Sequence, residues 1–348
     1  MKIWLRIGKA NLTYKGRFVH GMAISHDELR DALNRMGIEC FDEYPDGDGR
    51  TAVRHVPDHP EEYLTMWYGD PTLWEFDEER GRGVVAYTRC CETTLDTRQG
   101  MAIKHQLNQC DVIFVASNVA KKSLSPQLLP DIHVLSGGAV PEMFPCVERD
   151  FSGRLVFLHV GAVHQRKGSD VTCKAFVEAL GGKADVELRV ISPGRTELFS
   201  ELEERYASIP NMVFVDRIVD GRWLVCDEFY ADVHCLVYPS ITEGWGRCLT
   251  EAMFTGLPSI CFRASAMLDQ FHESCGWWLE PSGVKDGIYD LPDADDLARK
   301  MLYVYSHRNE LRQKGINAHR RAIRYLTWEY GITQATPVLE KIYNGTKN

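Results

Sequence analysis

Nowhere does the chain hold an apolar run near the roughly 20 residues that cross a bilayer. Its opening stretch, Met1 to Ile7, is short and broken by Arg6. That stretch is expected to be a first β-strand and not a signal peptide. No C-x-x-C spacing occurs, so no metal site is expected. The eleven cysteines are odd in number and scattered, and the one close pair, Cys90 and Cys91, is adjacent and badly placed for a bridge. A reducing, cytoplasmic setting is therefore expected. Internal repeats and low-complexity segments are also missing. Positive charge is in deficit: 40 Lys and Arg against 49 Asp and Glu give a net charge of −9. Bulk charge alone would not hold such a protein to nucleic acid or anionic lipid. A local basic patch stays open, because net charge says nothing about distribution.

What is present suits two globular domains. The 348 residues exceed one compact core, and 44% hydrophobic with 26% charged residues is ordinary globular composition. Lys2–Ile7 reads as a strand, and His20–Met36 as a helix stopped by Gly37. β-prone segments follow at Tyr63–Tyr68, Gly83–Thr88, Asp111–Ala116 and Ile132–Leu135. Pro45–His59, polar and rich in Asp, Gly and Pro, reads as a surface loop. The pattern restarts with a buried-strand run at Leu155–Val160, a loop to Asp170 and a helix over Val171–Leu180. Further strands are read at Val186–Ser192, Met212–Val215 and His234–Tyr238. A long helical region, Asp293–Tyr325, precedes a last amphipathic stretch, Leu326–Tyr343. The expected fold is α/β: two doubly wound, Rossmann-like domains with ligands at the carboxyl ends of their strands, in a cleft between them. The expected boundaries are 1–146, 147–325 and a C-terminal helix, 326–348, crossing back to the first domain.

The stretch that carries the chemistry runs from Tyr238 to Pro258, YPSITEGWGRCLTEAMFTGLP. It reads as a strand end, a glycine-containing loop and a helix closed by Gly256 and Pro258. Gly244 and Gly246 let backbone approach a ligand without a Cβ in the way. The amides opening the next helix, with its dipole, can hold a phosphate. Arg247 could add a charge-assisted bond to a diphosphate. Glu243 stands at the loop mouth, where a carboxylate accepts from sugar hydroxyls. Glu251 is expected about two turns into the helix region, within reach of a ribose diol. Two surface glutamates on a solvated helix would fit the same spacing. Upstream, Phe157 to Gly168, FLHVGAVHQRKG, is a strand followed by a basic loop that turns on Gly168. A solvated turn is the commoner use of such a loop.

Together these strings resemble the signature of family-4-type retaining glycosyltransferases of the GT-B fold. In that family two glutamates separated by seven residues bracket a Gly-aromatic-Gly turn, and Glu243 and Glu251 have that spacing around Gly244-Trp245-Gly246. Pro239-Ser240 and Ala252-Met253 also match. The resemblance implies that Arg166 and Lys167 grip the donor diphosphate and stabilise the leaving nucleotide without a metal or other cofactor. It makes Glu243, Arg166 and Lys167 the expected catalytic residues. Gly244, Trp245, Gly246, Arg247, Leu249 and Glu251 become donor-binding residues, joined by Gly16 in the loop after the first strand. His133 to Phe144 resembles the family's interdomain hinge, Asp111 to Ser117 the last strand region of its first domain, and Thr327 to Tyr330 its C-terminal element. The match is specific over the second half and loose over the first.

One departure concerns the first domain. Many relatives place a histidine at a strand end facing the sugar, whereas here Thr88 stands in the corresponding stretch, Val84 to Thr93. Arg89 and Glu92 are further candidates for the cleft, although a helix cap explains Glu92 equally well. The family often has two glycines near position 16, and this chain has one. His20, His26 and His105 are bases on paper only. The resemblance implies sugar transfer from a UDP- or GDP-sugar to a hydroxyl acceptor, with retention. In such enzymes the leaving diphosphate is thought to help deprotonate the acceptor, and no pair of carboxylates is assignable for a double displacement. A soluble saccharide or glycoconjugate is the default acceptor, and a lipid-linked one is disfavoured because no strongly basic amphipathic face is evident. A hydroxylated DNA base would need Lys9, Lys15, Arg17, Lys121 and Lys122 to gather at the cleft. Trp67 and Trp74 could stack on sugars or bases, though core packing is the commoner use. A sugar-nucleotide or glycan-binding module without catalysis is the alternative reading. A phosphorylase lacks its pyridoxal phosphate lysine segment here. Oligomeric state is not legible.

Overall fold

The computed structural model describes residues 1–7, 21–42, 57–71, 74, 76, 82–88, 95–216, 230–285, 288–289 and 292–345. Most of the Pro45–His59 loop lies outside them, as do Lys9, Lys15, Gly16, Arg17, His20, Arg89 and Glu92. The chain divides into two compact units, Met1–Val140 with Leu326–Asn348, and Pro141–Tyr325. Residues 141–146, assigned to the first domain from sequence, group with the second unit; Phe144 meets the buried Tyr230 edge-on, ring centroids 6.4 Å apart.

In the first unit six parallel strands, β1 (Lys2–Ile7), β2 (Glu39–Asp42), β3 (Leu64–Gly69), β4 (Val84–Thr88), β5 (Val112–Val115) and β6 (Asp131–Val134), lie in the order β2-β1-β3-β4-β5-β6. Strands β3, β4 and β5 are buried along their whole length, which is why they read as unbroken apolar runs instead of alternating ones. Helices α1 (Gly21–Arg35), α2 (Arg98–Leu107) and α3 (Asn118–Leu124) belong to this unit. Trp67 and Trp74 pack in its core at 3% and 2% exposure, so the stacking role entertained from sequence gives way to the packing one.

The second unit repeats the design. Its strands β7 (Leu155–Val160), β8 (Val186–Ser192), β9 (Met212–Asp216), β10 (Cys235–Tyr238), β11 (Ser259–Phe262) and β12 (Gly276–Leu279) are ordered β12-β11-β10-β7-β8-β9. Strand order reverses between β7 and β10, where Phe157 pairs with Cys235 and Leu158 with Leu236. In an open α/β sheet that reversal parts the loops at the carboxyl edge and leaves room for a ligand. Helices α4 (Ser169–Leu180), α5 (Glu197–Arg205), α6 (Arg247–Phe254), α7 (Met267–Gln270), α8 (Ala294–Ser306) and α9 (Asn309–Tyr325) complete the unit.

Five strands among the described residues escaped the sequence reading: β2, β11 and β12, and the short antiparallel pair Val284–Lys285 and Ile288–Tyr289. The expected helix Asp293–Tyr325 is two, α8 and α9, parted at His307 and Arg308. Arg312, Ile316, Arg320, Ile323 and Arg324 are exposed along α9. The last helix, α10 (Trp328–Tyr343), packs within the first unit. Ala139 bridges Thr327, the buried Trp328 indole donates to Glu28 at 3.0 Å, and its ring meets Tyr87 edge-on.

Candidate functional site

The loops that follow β7 and β10 meet at the switch point of the second unit. The first carries Arg166 and Lys167 in a short 3-10 turn, Gln165–Lys167, ended by Gly168 in the left-handed conformation, φ 67°. A Cβ at Gly168 would stand 2.8 Å from both the Cγ and the carbonyl oxygen of Pro239, so the two loops could not close on any larger residue. Backbone stitches them together: Ile241 N–H donates to the Arg166 carbonyl at 2.9 Å.

Glu243 is the focus of the cluster and only 9% exposed. Its Oε1 accepts from the Ser240 hydroxyl at 2.7 Å, the Tyr238 phenol at 2.9 Å and the Lys167 ammonium. Its Oε2 has the Arg166 guanidinium at 3.5 Å, and Arg166 also donates to the Thr242 carbonyl. Burial alone would raise this carboxyl; the Lys167 and Arg166 cations and the hydrogen bonds outweigh it and hold the pKa at about 2. The three charged groups thus sum to one positive charge beside two helix starts. α4 opens from Gly168 and α6 from Gly246, φ 90°, and no side chain caps either. The sequence alternative of two surface glutamates on a solvated helix is excluded by this burial.

Glu251 differs in place and surroundings from the sequence reading. It is the fifth residue of α6, little more than one turn in, and 1% exposed. Its Oε1 accepts from Arg247 Nε at 2.5 Å and its Oε2 from the Tyr230 phenol at 2.9 Å. Arg247, read as a diphosphate ligand, is therefore engaged within α6. Leu249 and Trp245 are buried at 0% and 3%, and the Trp245 indole N–H has no partner among the described residues. Thr88 is fully buried at the end of β4. His26 is buried beside Tyr68, while His105 is exposed in the last turn of α2. No grouping of three His, Cys, Asp or Glu side chains suited to a metal occurs among the described residues, and no described helix is long and apolar enough to cross a membrane.

Several residues that shape this site gave no sequence signal. His159, 2% exposed on β7, has Nδ1 3.1 Å from the Val237 carbonyl and Nε2 2.9 Å from the Ser169 hydroxyl. A carbonyl only accepts, so Nδ1 carries the proton and Ser169 donates to Nε2. Burial keeps this imidazole neutral, its pKa lowered to about 4. His234, immediately before β10, is lowered by burial too. The consequence for stability has a definite sign. Between pH 6.5 and about 4 the unfolded chain binds a proton at His159 that the folded chain refuses, so stability falls as pH falls. The full loss from His159 is on the order of 3 kcal/mol. Glu243 acts lower, since its contribution is intact above its unfolded value and is lost only as pH drops toward about 2. Urea midpoints at pH 7, 5.5 and 4.5 should decline, and His159→Gln should flatten that decline; an unchanged slope in the variant would remove His159 as the cause.

With this geometry in view, residues 154–307 match the family model described as glycosyl transferases group 1. Over 224 residues the chain is 27% identical to the MMP alpha-(1->4)-mannosyltransferase of Mycolicibacterium hassiacum, covering 63% of this chain and 50% of that protein. The chain spans half or less of the curated relatives it matches. Among solved structures, the sucrose-phosphate synthase of Thermosynechococcus elongatus superposes with a TM-score of 0.70 at 16% identity, covering 99% of this chain and 100% of that one. Anabaena HepE, in complex with UDP and glucose, gives 0.69 at 14% identity, covering 98% and 100%. The fold is GT-B, as the resemblance read from the motifs implied. The residues that match the glycosyl transferases group 1 model all lie in the second unit.

Proposed function

We propose, from the premise that residues 154–307 are a glycosyl transferases group 1 segment within a GT-B fold, that this chain moves a sugar from a nucleotide-sugar donor to a hydroxyl acceptor with retention at the anomeric carbon. The observation that carries this reading is the Glu243–Lys167–Arg166 cluster at the switch point of the second unit. Its net positive charge and the two uncapped helix starts beside it suit a diphosphate. Negative charge that develops on the leaving nucleotide would be met by groups already in place, without reorganisation. Glu243, held ionised, would orient the sugar ring and support positive charge near the anomeric carbon. The UDP and glucose in the HepE structure favour a UDP-sugar as the donor. The acceptor we assign by default is a soluble saccharide or glycoconjugate, with a hydroxylated DNA base as the alternative.

The test is thermal stability with a panel of nucleotide sugars. A donor at about 100 times its dissociation constant adds roughly 2.7 kcal/mol, a shift of a few degrees for a chain of this size. Arg166→Ala is the diagnostic variant, because that side chain is 45% exposed and its loss should leave the unliganded melting temperature almost unchanged. The expected result is a shift in the wild type that Arg166→Ala loses. Glu251 is unsuited to alanine substitution here, since its burial would confound stability with binding; Glu251→Gln serves instead. If no nucleotide sugar moves the wild-type midpoint, the donor site is not where we place it.

A further inference from the structure

Ser265 follows β11 and is 7% exposed. It is the one residue other than glycine with positive φ among those described, at 52°. A residue with a Cβ is strained in that conformation, and glycine would take it freely. What the serine supplies in return is its hydroxyl. The Oγ accepts from the Glu243 N–H at 3.0 Å and donates to the Glu243 carbonyl at 2.9 Å, so one side chain closes on both polar groups of that residue's backbone. Sustained local strain of this kind is found where the surrounding structure holds a group for use.

We propose that Ser265 is a positioning residue for glycosyl transfer, fixing the Glu243 backbone so that its carboxylate meets the donor sugar in one orientation. The proposal rests on the glycosyl-transfer reading above. On the side chain, Oε1 is anchored by Ser240, Tyr238 and Lys167, while Oε2 has only Arg166, at 3.5 Å, among the bonds described. With Oε1 pinned at one end and the backbone pinned at the other, the position of Oε2 is determined. Remove the backbone clamp and the segment Thr242–Gly244 gains freedom, although Lys167 still neutralises the carboxylate. Charge at the site is unchanged; orientation is what is lost.

Ser265→Gly and Ser265→Ala separate strain from the clamp. Glycine relieves the strained φ and offsets much of the lost bonding, so its melting temperature should stay within a few degrees of wild type. Both variants should lose about 10- to 100-fold in kcat, the scale expected for a misplaced catalytic group, while the donor KM changes by less than about three-fold, because Arg166 and Lys167 remain. Amide exchange at Glu243, read by NMR, should speed up by about five-fold or more in both, as expected when its hydrogen bond to Ser265 is lost. Unchanged exchange would show that the clamp does not exist in solution. Wild-type kcat in both variants, in a protein that Glu243→Gln inactivates, would overturn the positioning role and leave glycosyl transfer standing. Absence of any nucleotide-sugar shift or transfer in the wild type would instead overturn the reading on which the role depends.

Discussion

Glu243→Gln is expected to lower sugar transfer by about 10²- to 10³-fold, the loss seen when one preorganised electrostatic group is removed from an active site. The substitution keeps volume and the capacity to accept from Tyr238 and Ser240, and deletes only the charge. Several donors and two cations now hold that charge in place, so its contribution at the reacting carbon needs no rearrangement during the reaction. Lys167, 15% exposed, loses its counter-charge in the variant and becomes freer to meet the diphosphate. Donor affinity should therefore hold or improve while kcat collapses. Initial rates of transfer, with donor KM measured separately, check this. Transfer near the wild-type rate would remove Glu243 from catalysis.

Arg149→Met should destabilise the second unit by about 3 to 5 kcal/mol, the usual outcome of deleting one member of a buried ionic and hydrogen-bonded network. Arg149 is 5% exposed. Its guanidinium donates to the carbonyls of Val233 at 2.7 Å, Thr255 at 2.7 Å, Tyr230 at 2.7 Å and Val147 at 3.2 Å, and to the Thr255 hydroxyl at 3.1 Å. Methionine fills similar space and leaves those buried acceptors without this donor, at a cost near 1 kcal/mol or more each. Thr255 caps the carboxyl end of α6, where a cation also meets the helix dipole. The effect should reach Glu251, because Tyr230 both accepts from Arg149 and donates to Glu251. Urea unfolding followed by tryptophan fluorescence and far-UV circular dichroism measures it. A change under about 1 kcal/mol would mean that water or neighbouring groups replace the guanidinium without loss.

Arg149 shows where reading by sequence ends. It sits in Glu148-Arg149-Asp150, which looks like a charged, solvated linker, and nothing in those three letters says that the middle side chain is buried among carbonyls from two distant segments. His159 and Ser265 are of the same kind. His159 is one histidine in an apolar strand, and Ser265 stands between two alanines. Each acts through a partner more than 20 residues away or on another element, and local pattern carries no information on such pairing.

The longer elements were legible because their physics is local. Leu155–Val160 and Val186–Ser192 have the boundaries expected from sequence; the first, buried along its whole length, is a nearly continuous apolar run, as a strand covered on both faces is. The turn at Gly168 was legible too, since the chain must bend there and glycine does so freely. Sequence alone therefore determined the two-fold repetition of βα units, and the residue types set at the ends of β7 and β10. Tertiary structure alone decided that β7 and β10 lie side by side, although 74 residues, β8 and β9 among them, separate the end of β7 at Val160 from the start of β10 at Cys235. That adjacency brings Lys167 and Arg166 onto Glu243, buries the carboxylate and sets its charge. Strand order depends on the summed burial of both sheet faces, a property of the whole domain and of no single segment.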